Sequence, residues 1–232
     1  MERPQAILFD VDGLLITTGG AGARSWRWAF NELYGIPAEI GEFTEAGMTD
    51  PVVGRLTFTK VIGHEPSPAE LAKVISHYLM RLPEEVANSS GYRVLAGVHE
   101  LLPRLSKAGF LLGITTGAVE AAAHMKLARA DLNRFFSFGG YGSDSADRGE
   151  LTRKAIDRAG EILGSTLESQ RVLVVGDTPN DIAAAHAAGA IGVGVASGRS
   201  SKEELRSAGA DYVLGSLLEE LPGVADPVIP TT

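Results

Sequence analysis

The sequence contains no cysteine, and that absence excludes a disulfide framework, a thiolate nucleophile and a zinc site built from thiolates. A chain without thiols suits a reducing compartment, and we expect it to work in the cytoplasm. No run of apolar residues approaches the ~20 that a membrane span needs. The apolar run at the start, in MERPQAILFD, is too short for a signal peptide. We therefore expect no membrane partner.

Clustered positive charge is also missing. The chain has 21 Lys and Arg against 29 Asp and Glu, a formal net charge of -8. The basic residues form no stripe, so we expect no binding to nucleic acid. Hydrophobic residues make up 44% and charged residues 22% of the 232 positions, which allows a sizeable core without disulfides or a structural metal. This length predicts one large domain, or a core domain with a smaller one inserted.

Short apolar runs separated by helical patterns predict an α/β fold. None of these runs alternates apolar with polar residues, which is typical of parallel strands buried on both faces. The strand–helix alternation predicts an open parallel sheet covered by helices on both sides. The four clear strand candidates and a weaker fifth are Ala6–Phe9, 110–115, 171–175, Ile191–Val195 and 211–214.

One stretch interrupts that alternation. Between about residues 20 and 91, three helical patterns occur at 23–34, Asp50–Ile62 and 68–87, with no convincing strand. Clusters of Gly, Pro, Ser and Asn mark turns at their edges. We therefore predict an α-helical domain over residues 18–92, inserted into a core domain of residues 1–17 and 93–232. The final residues, 225–232, are expected to form a frayed tail.

Acidic residues follow two of the predicted strands. Asp10 and Asp12 come directly after the first strand, and Asp177 and Asp181 follow the strand at 171–175. Ligands of open parallel sheets bind beyond the carboxyl ends of the strands, and residues two apart on a strand point the same way. Asp177 and Asp181 are four apart at a predicted helix start, so they lie near each other. The sequence thus predicts four carboxylates at one edge of the sheet.

Carboxylates gathered at one edge repel each other unless a cation intervenes. An all-oxygen cluster suits a hard ion that keeps several waters, which is Mg²⁺. A carboxylate beside Mg²⁺ can attack phosphorus, and a second one can protonate the leaving group and then activate water. Each acidic motif by itself is also typical of an ordinary turn or helix cap. Their occurrence together, each directly after an apolar strand, favours a phosphoryl-transfer site.

Four motifs, in order along nearly the whole chain, carry a family resemblance. They are DVDG at 10–13, LGITTG at 112–117, DRGEL at 147–151 and GDTPND at 176–181. With them the chain resembles the haloacid dehalogenase (HAD) superfamily of hydrolases. It is most similar to the branch of phosphoglycolate phosphatases and β-phosphoglucomutase-like proteins. The resemblance implies a Rossmann-like open parallel sheet with an inserted α-helical cap domain.

The resemblance also implies roles for the four acids. Asp10 would be the nucleophile that forms an aspartyl-phosphate. Asp12 would be the general acid and base, with its backbone carbonyl on Mg²⁺. Asp177 would hold Mg²⁺, and Asp181 would lie beside the ion, in contact with it directly or through water. The implied metal-site residues are therefore Asp10, Asp12, Asp177 and Asp181.

The two middle motifs imply the residues that bind the phosphoryl group. Thr116 would donate to the phosphoryl oxygens, with help from the Gly117 amide. A shift of the alignment by one residue would put Thr115 in that place.

The third motif implies a basic partner for Asp10 and the phosphoryl group, and Arg148 would fill that role. The family usually has Lys followed by Pro, whereas this chain has Arg followed by Gly. Arg is a fixed fork of donors and not a mobile point charge. The alignment is loose here, so Arg153 and Lys154 stay open as alternatives.

The resulting hypothesis is a Mg²⁺-dependent phosphatase that acts on a small phosphorylated metabolite, as a monomer or homodimer. Closure of the cap would exclude bulk water from the reaction. One alternative is a phosphosugar mutase, which would return the phosphoryl group to a bound sugar. Another is a non-catalytic binding module that kept the fold, although such a module has no reason to retain four acids that repel each other.

Overall fold

The computed structural model describes residues 2–45 and 47–224. The segment 225–232, where the sequence predicts a frayed tail, lies outside the described residues. The strands are β1 Ala6–Phe9, β2 Ile16–Thr18, β3 Tyr92–Val94, β4 Leu111–Thr116, β5 Phe138–Tyr141, β6 Val172–Gly176, β7 Ile191–Val195 and β8 Tyr212–Leu214. The α-helices are α1 Ala21–Tyr34, α2 Asp50–Ile62, α3 Pro68–Asn88, α4 Val98–Lys107, α5 Glu120–Ala128, α6 Arg148–Leu163, α7 Pro179–Ala187 and α8 Lys202–Ser207.

Six strands form one parallel sheet in the order β5-β4-β1-β6-β7-β8. The first strand lies in the middle, where Phe9 is in register with Ile114 of β4 and with Val175 of β6. The prediction of an α/β fold with an open parallel sheet is therefore confirmed. Strand β5, with the sequence FGGY, was not predicted, because two glycines weaken its strand pattern.

The apolar faces of the helices cover the sheet. In α4, the residues at i, i+3, i+4 and i+7 (Val98, Leu101, Leu102 and Leu105) are all buried. All four residues of β1 are buried, as expected for a central strand with helices on both faces. No helix in the described part of the chain is both long enough and apolar enough to cross a membrane.

The helices α1, α2 and α3 pack around buried aromatic residues. The rings of Trp26 in α1 and Tyr78 in α3 stack with centroids 4.5 Å apart. Gly54 in α2 faces Trp26, and a Cβ atom there would lie 3.1 Å from the indole ring. The absence of a side chain at Gly54 thus allows α2 to approach the ring closely.

A short antiparallel pair, β2 and β3, lies where the chain enters and leaves these helices, with Thr17 in register with Arg93. The two segments also touch through glycines, since a Cβ on Gly19 would lie 2.5 Å from Gly91 Cα. Each strand has only three residues, which is too short to give a strand pattern in the sequence.

Candidate active site

A cavity of about 450 Å³ lies beyond the carboxyl ends of β1, β4 and β6. The sheet side of its wall includes Asp10, Asp12, Thr116, Arg148 and Asp177, and the helical side includes Trp26, Met48, Asp50 and Tyr78. The edge of the sheet chosen from the sequence is thus the place where the structure has a cavity, in agreement with the general position of ligands in open α/β sheets.

Asp10 is the first residue after the central strand. Its backbone N–H donates to the carbonyl of Val175 at 2.9 Å. This hydrogen bond extends the pairing of β1 with β6 and fixes the backbone from which the Asp10 side chain projects. The residue is 5% exposed. Burial raises the pKa of the Asp10 carboxyl well above its usual value, the nearby Asp181 and Asp177 raise it further, and Arg148 opposes them.

Asp10, Asp177 and Asp181 form a group of buried carboxylates whose oxygens lie within 4.8 Å of one another. Burial first, and then repulsion by Asp181, raises the pKa of Asp177 from 3.8 to about 7. Its Oδ1 is buried and has no hydrogen-bond partner among the described residues. An unpaired buried oxygen among like charges is what a hard divalent cation would satisfy, so these residues fit Mg²⁺.

Two glycines leave room for the Asp177 carboxylate. A Cβ atom on Gly198 would lie 1.6 Å from Asp177 Oδ2, and one on Gly13 would lie 2.4 Å from it. Gly13 also has φ of +92°, a conformation that favours glycine. The carboxylate is therefore held in a cradle made by the loops that follow β1 and β7.

Asp181 has a second role at the start of α7. Its Oδ2 accepts from the backbone N–H of Thr178 at 2.9 Å and from the hydroxyl of Thr178 at 2.7 Å, which makes a capping box. Its Oδ1 accepts from Arg148. Both of its oxygens thus have protein partners, and the GDTPND motif positions the group as well as supplying acids to it.

Asp12 lies apart from this group. Its side chain is 43% exposed and its Oδ2 lies 2.5 Å from the Nζ of Lys126. The structure thus gathers three of the four carboxylates that the sequence predicts at this edge, while the fourth lines the same cavity against a lysine.

Of the three candidate basic residues, Arg148 is the one that contacts the acids. Its Nη2 donates to Asp181 and lies 3.7 Å from Asp10 Oδ1, and its Nη1 donates to the Gly47 carbonyl at 3.0 Å. Arg153 instead donates to the Ala187 carbonyl and Lys154 to the Asp144 carbonyl. The sequence left this choice open, and the geometry favours Arg148.

The two threonines at the end of β4 point in different directions. Thr116 lines the cavity with Gly117, whereas the hydroxyl of Thr115 forms a hydrogen bond with that of Thr152 in α6 at 2.9 Å. Gly117 also lies under the loop before α2, because a Cβ there would be 2.7 Å from the Met48 carbonyl oxygen. Of the two threonines, Thr116 is therefore the one that lines the cavity.

Lys126 was missed by the sequence reasoning. It is buried in α5 among Ala122, Ala123 and Leu127, and a charged residue on an otherwise apolar helix face was the available signal. Burial lowers the pKa of Lys126, but the charge of Asp12 and other neighbours outweighs it, so the pKa lies above its usual value. The lysine is thus a cation in the wall of the cavity.

Comparisons with known proteins identify similar sequences. A family model described as haloacid dehalogenase-like hydrolase matches residues 4–189. The chain is 32% identical to the phosphoglycolate phosphatase of Agrobacterium fabrum, over 82% of this chain and 80% of that protein. It is 28% identical to the phosphoglycolate phosphatase of Caulobacter vibrioides, over 92% of this chain and 87% of that protein.

Solved structures share the fold. A structure described as a predicted phosphoglycolate phosphatase from Haemophilus somnus superposes with a TM-score of 0.72 at 22% identity, covering 94% of this chain and 96% of that one. The structure of CbbY from Rhodobacter sphaeroides in complex with phosphate gives a TM-score of 0.70 at 20% identity, covering 93% and 96%.

Proposed function

Because the chain belongs to the haloacid dehalogenase-like hydrolase family and is similar to phosphoglycolate phosphatases, we propose that it is a Mg²⁺-dependent phosphatase working through an aspartyl-phosphate on Asp10. Its substrate would be a small phosphorylated metabolite. The observation that carries the proposal is the group of three buried carboxylates with Arg148, at the carboxyl end of the central strand.

Asp10, Asp177 and the backbone carbonyl of Asp12 would hold the cation, with Asp181 beside it. When bound, Mg²⁺ neutralises charge on the transferring phosphoryl group. The unpaired Oδ1 of Asp177 and the repulsion within the carboxylate group support this assignment.

Asp10 would attack the phosphorus with one carboxylate oxygen. The bond from phosphorus to the leaving oxygen then breaks, and Asp12 supplies the proton that this oxygen needs. In the second half-reaction, Asp12 takes a proton from the water that attacks the phosphorus, which releases inorganic phosphate and regenerates Asp10. Asp12 suits both steps because its carboxylate is partly exposed in the cavity wall.

Thr116, Gly117 and Arg148 would bind the phosphoryl group. The Thr116 hydroxyl is buried, lines the cavity and accepts from the Ala118 amide at 3.3 Å, which orients it at the end of β4. The guanidinium of Arg148 lies close to Asp10, so it can offset negative charge on the nucleophile and on the phosphoryl group together.

Residues 18–92 would form a cap domain that closes over the cavity. Support comes from the short β2–β3 pair at both ends of this segment and from Trp26, Met48 and Tyr78, which line the cavity opposite the sheet. Closure of such a lid excludes water other than the nucleophile.

The test is release of p-nitrophenol from p-nitrophenyl phosphate by purified protein, with Mg²⁺ and then with EDTA. We expect release that depends on Mg²⁺ and stops in EDTA, and none from the Asp10→Asn variant. Activity that persists in EDTA would refute the metal dependence. Activity of the variant at the wild-type rate would remove Asp10 as the nucleophile.

A further inference from the structure

The ammonium of Lys126 lies where several polar side chains converge. Its Nζ is 2.5 Å from Asp12 Oδ2, and the lysine side chain is 7% exposed. Tyr78 of α3 lines the same cavity as Lys126 and interacts with the ammonium electrostatically. Asp50 of α2 acts on it through its charge, while Asp50 Oδ2 accepts from the Val119 amide at 2.9 Å.

Placing a lysine here has a cost, since a buried ammonium loses its hydration and needs an anionic partner. A lysine that served only to hold helices together could have any carboxylate as that partner. Its closest partner in this structure is the residue to which the proposed function gives both proton transfers. Asp12 is more exposed than the lysine, so the lysine holds its carboxylate from the protein side and leaves the other side open to the cavity.

We propose that Lys126 is a positioning residue, which fixes the Asp12 carboxylate for proton transfer to the leaving oxygen. This inference rests on the proposed function, because it assumes that Asp12 acts as the general acid and base. In this role Lys126 would act through Asp12 and would not itself contact the phosphorus or the leaving oxygen.

The experiment compares two substrates of similar shape, phenyl phosphate and p-nitrophenyl phosphate. Phenolate is a poor leaving group and needs a proton as it departs, whereas p-nitrophenolate departs readily without one. We expect Lys126→Met to lower kcat/KM for phenyl phosphate by about 10-fold or more beyond its effect on p-nitrophenyl phosphate, since general acid catalysis contributes about 10²- to 10⁴-fold. Lys126→Arg, which keeps the charge, should recover part of the selective loss.

Arg129 provides the matched control. It lies just after α5 and donates to the carbonyls of Val86 and Ser89 in and after α3, so it joins the same parts of the molecule without contacting Asp12. Arg129→Met should change kcat/KM for both substrates by the same factor. Should Lys126→Met fail to fold, as judged by thermal unfolding, Lys126→Gln is measured in the same way.

Equal losses for the two substrates, or no loss, would overturn the positioning role and leave Lys126 as a structural ion pair. The wild-type rates test a different point. If the wild-type protein released phosphate from neither substrate, the proposed function would fail, whereas the ratio of the two losses in an active protein reports on Lys126 alone.

Discussion

Arg148 Nη2 lies 3.7 Å from Asp10 Oδ1, and this guanidinium also binds Asp181 and the carbonyl of Gly47. One side chain therefore connects the central strand, the start of α7 and the loop before α2. Its side chain is 11% exposed, so the charge acts in surroundings where water screens it little.

Replacement of Arg148 by Met should lower kcat/KM for p-nitrophenyl phosphate by about 100-fold or more, as loss of a donor aimed at developing charge does elsewhere. It should also destabilise the protein, because Asp181 would keep a buried oxygen without its partner. Steady-state kinetics and thermal unfolding check both effects. Arg153→Met is the control, and an equal loss in that variant would contradict the assignment of Arg148.

Asp10→Asn should abolish phosphate release and raise the melting temperature of the metal-free protein. The amide has nearly the shape of the carboxylate, and it removes a buried charge that Asp181 and Asp177 repel. Differential scanning fluorimetry in EDTA measures the shift. A lower melting temperature than wild type would show that the Asp10 carboxylate does not destabilise the metal-free fold.

The metal-free protein should lose stability between pH 4.5 and about 7. The pKa of Asp177 is about 7 in the folded protein, whereas the ordinary pKa of an aspartate side chain is 3.8. A raised pKa means that stability is fully present below the ordinary value and is lost as the pH rises through the folded value. Acids whose pKa is lowered in the folded protein, such as Glu85, change the stability only below their ordinary pKa of 4.5. Their titration therefore does not overlap the range from pH 4.5 to about 7.

Melting temperatures measured in EDTA across that pH range provide the check. In the Asp177→Asn variant the melting temperature should depend less on pH. Adding Mg²⁺ should raise the melting temperature of the wild-type protein most at the upper end of the pH range. A melting temperature that rose with pH in EDTA would contradict the proposed cause.

Thr116→Val should lower kcat/KM by about 100-fold, because it removes a hydroxyl donor from the cavity wall. Thr115→Val is its neighbour and its control. That change removes the hydrogen bond to Thr152 and should cost about 1 kcal/mol of stability while activity is kept. Urea unfolding and steady-state kinetics check both variants. If Thr115→Val lost activity and Thr116→Val kept it, Thr115 would be the residue at the site.

Gly198→Ala should lower the affinity for Mg²⁺ and the activity by about 10- to 100-fold, as disturbed support of a metal ligand does. The added Cβ would lie 1.6 Å from Asp177 Oδ2, so the carboxylate has to move. Gly41→Ala is the control, since Gly41 does not line the cavity and a Cβ there meets nothing within 4 Å. Isothermal titration with Mg²⁺ distinguishes the two variants.

The parts of the fold that the sequence predicted are those where local pattern and burial agree. Strand β1 and helix α2 have the predicted bounds, Ala6–Phe9 and Asp50–Ile62, because apolar runs and Gly or Pro punctuation mark their ends. Strand β5 lacks such a pattern. Its place at the edge of the sheet comes from pairing with β4, a long-range contact that no local window contains.

The candidate site shows the same division. Asp10 and Asp177 could be located from the strands that precede them, because the carboxyl ends of parallel strands lie at one edge of the sheet. The pairing of Asp12 with Lys126 could not, since it depends on how far α5 lies from the loop after β1. The choice among Arg148, Arg153 and Lys154 likewise depends on the rotation of α6, which sets the direction of each side chain.

The central place of β1 in the sheet has a consequence for biosynthesis. This strand leaves the ribosome before its neighbours in the sheet, which begin only at Leu111 and Val172. Until those segments emerge, the apolar run AILF has no partner on either edge and resembles the segments that chaperones bind. Asp10, which follows this strand, can therefore reach its position only late in translation, when β6 pairs with β1.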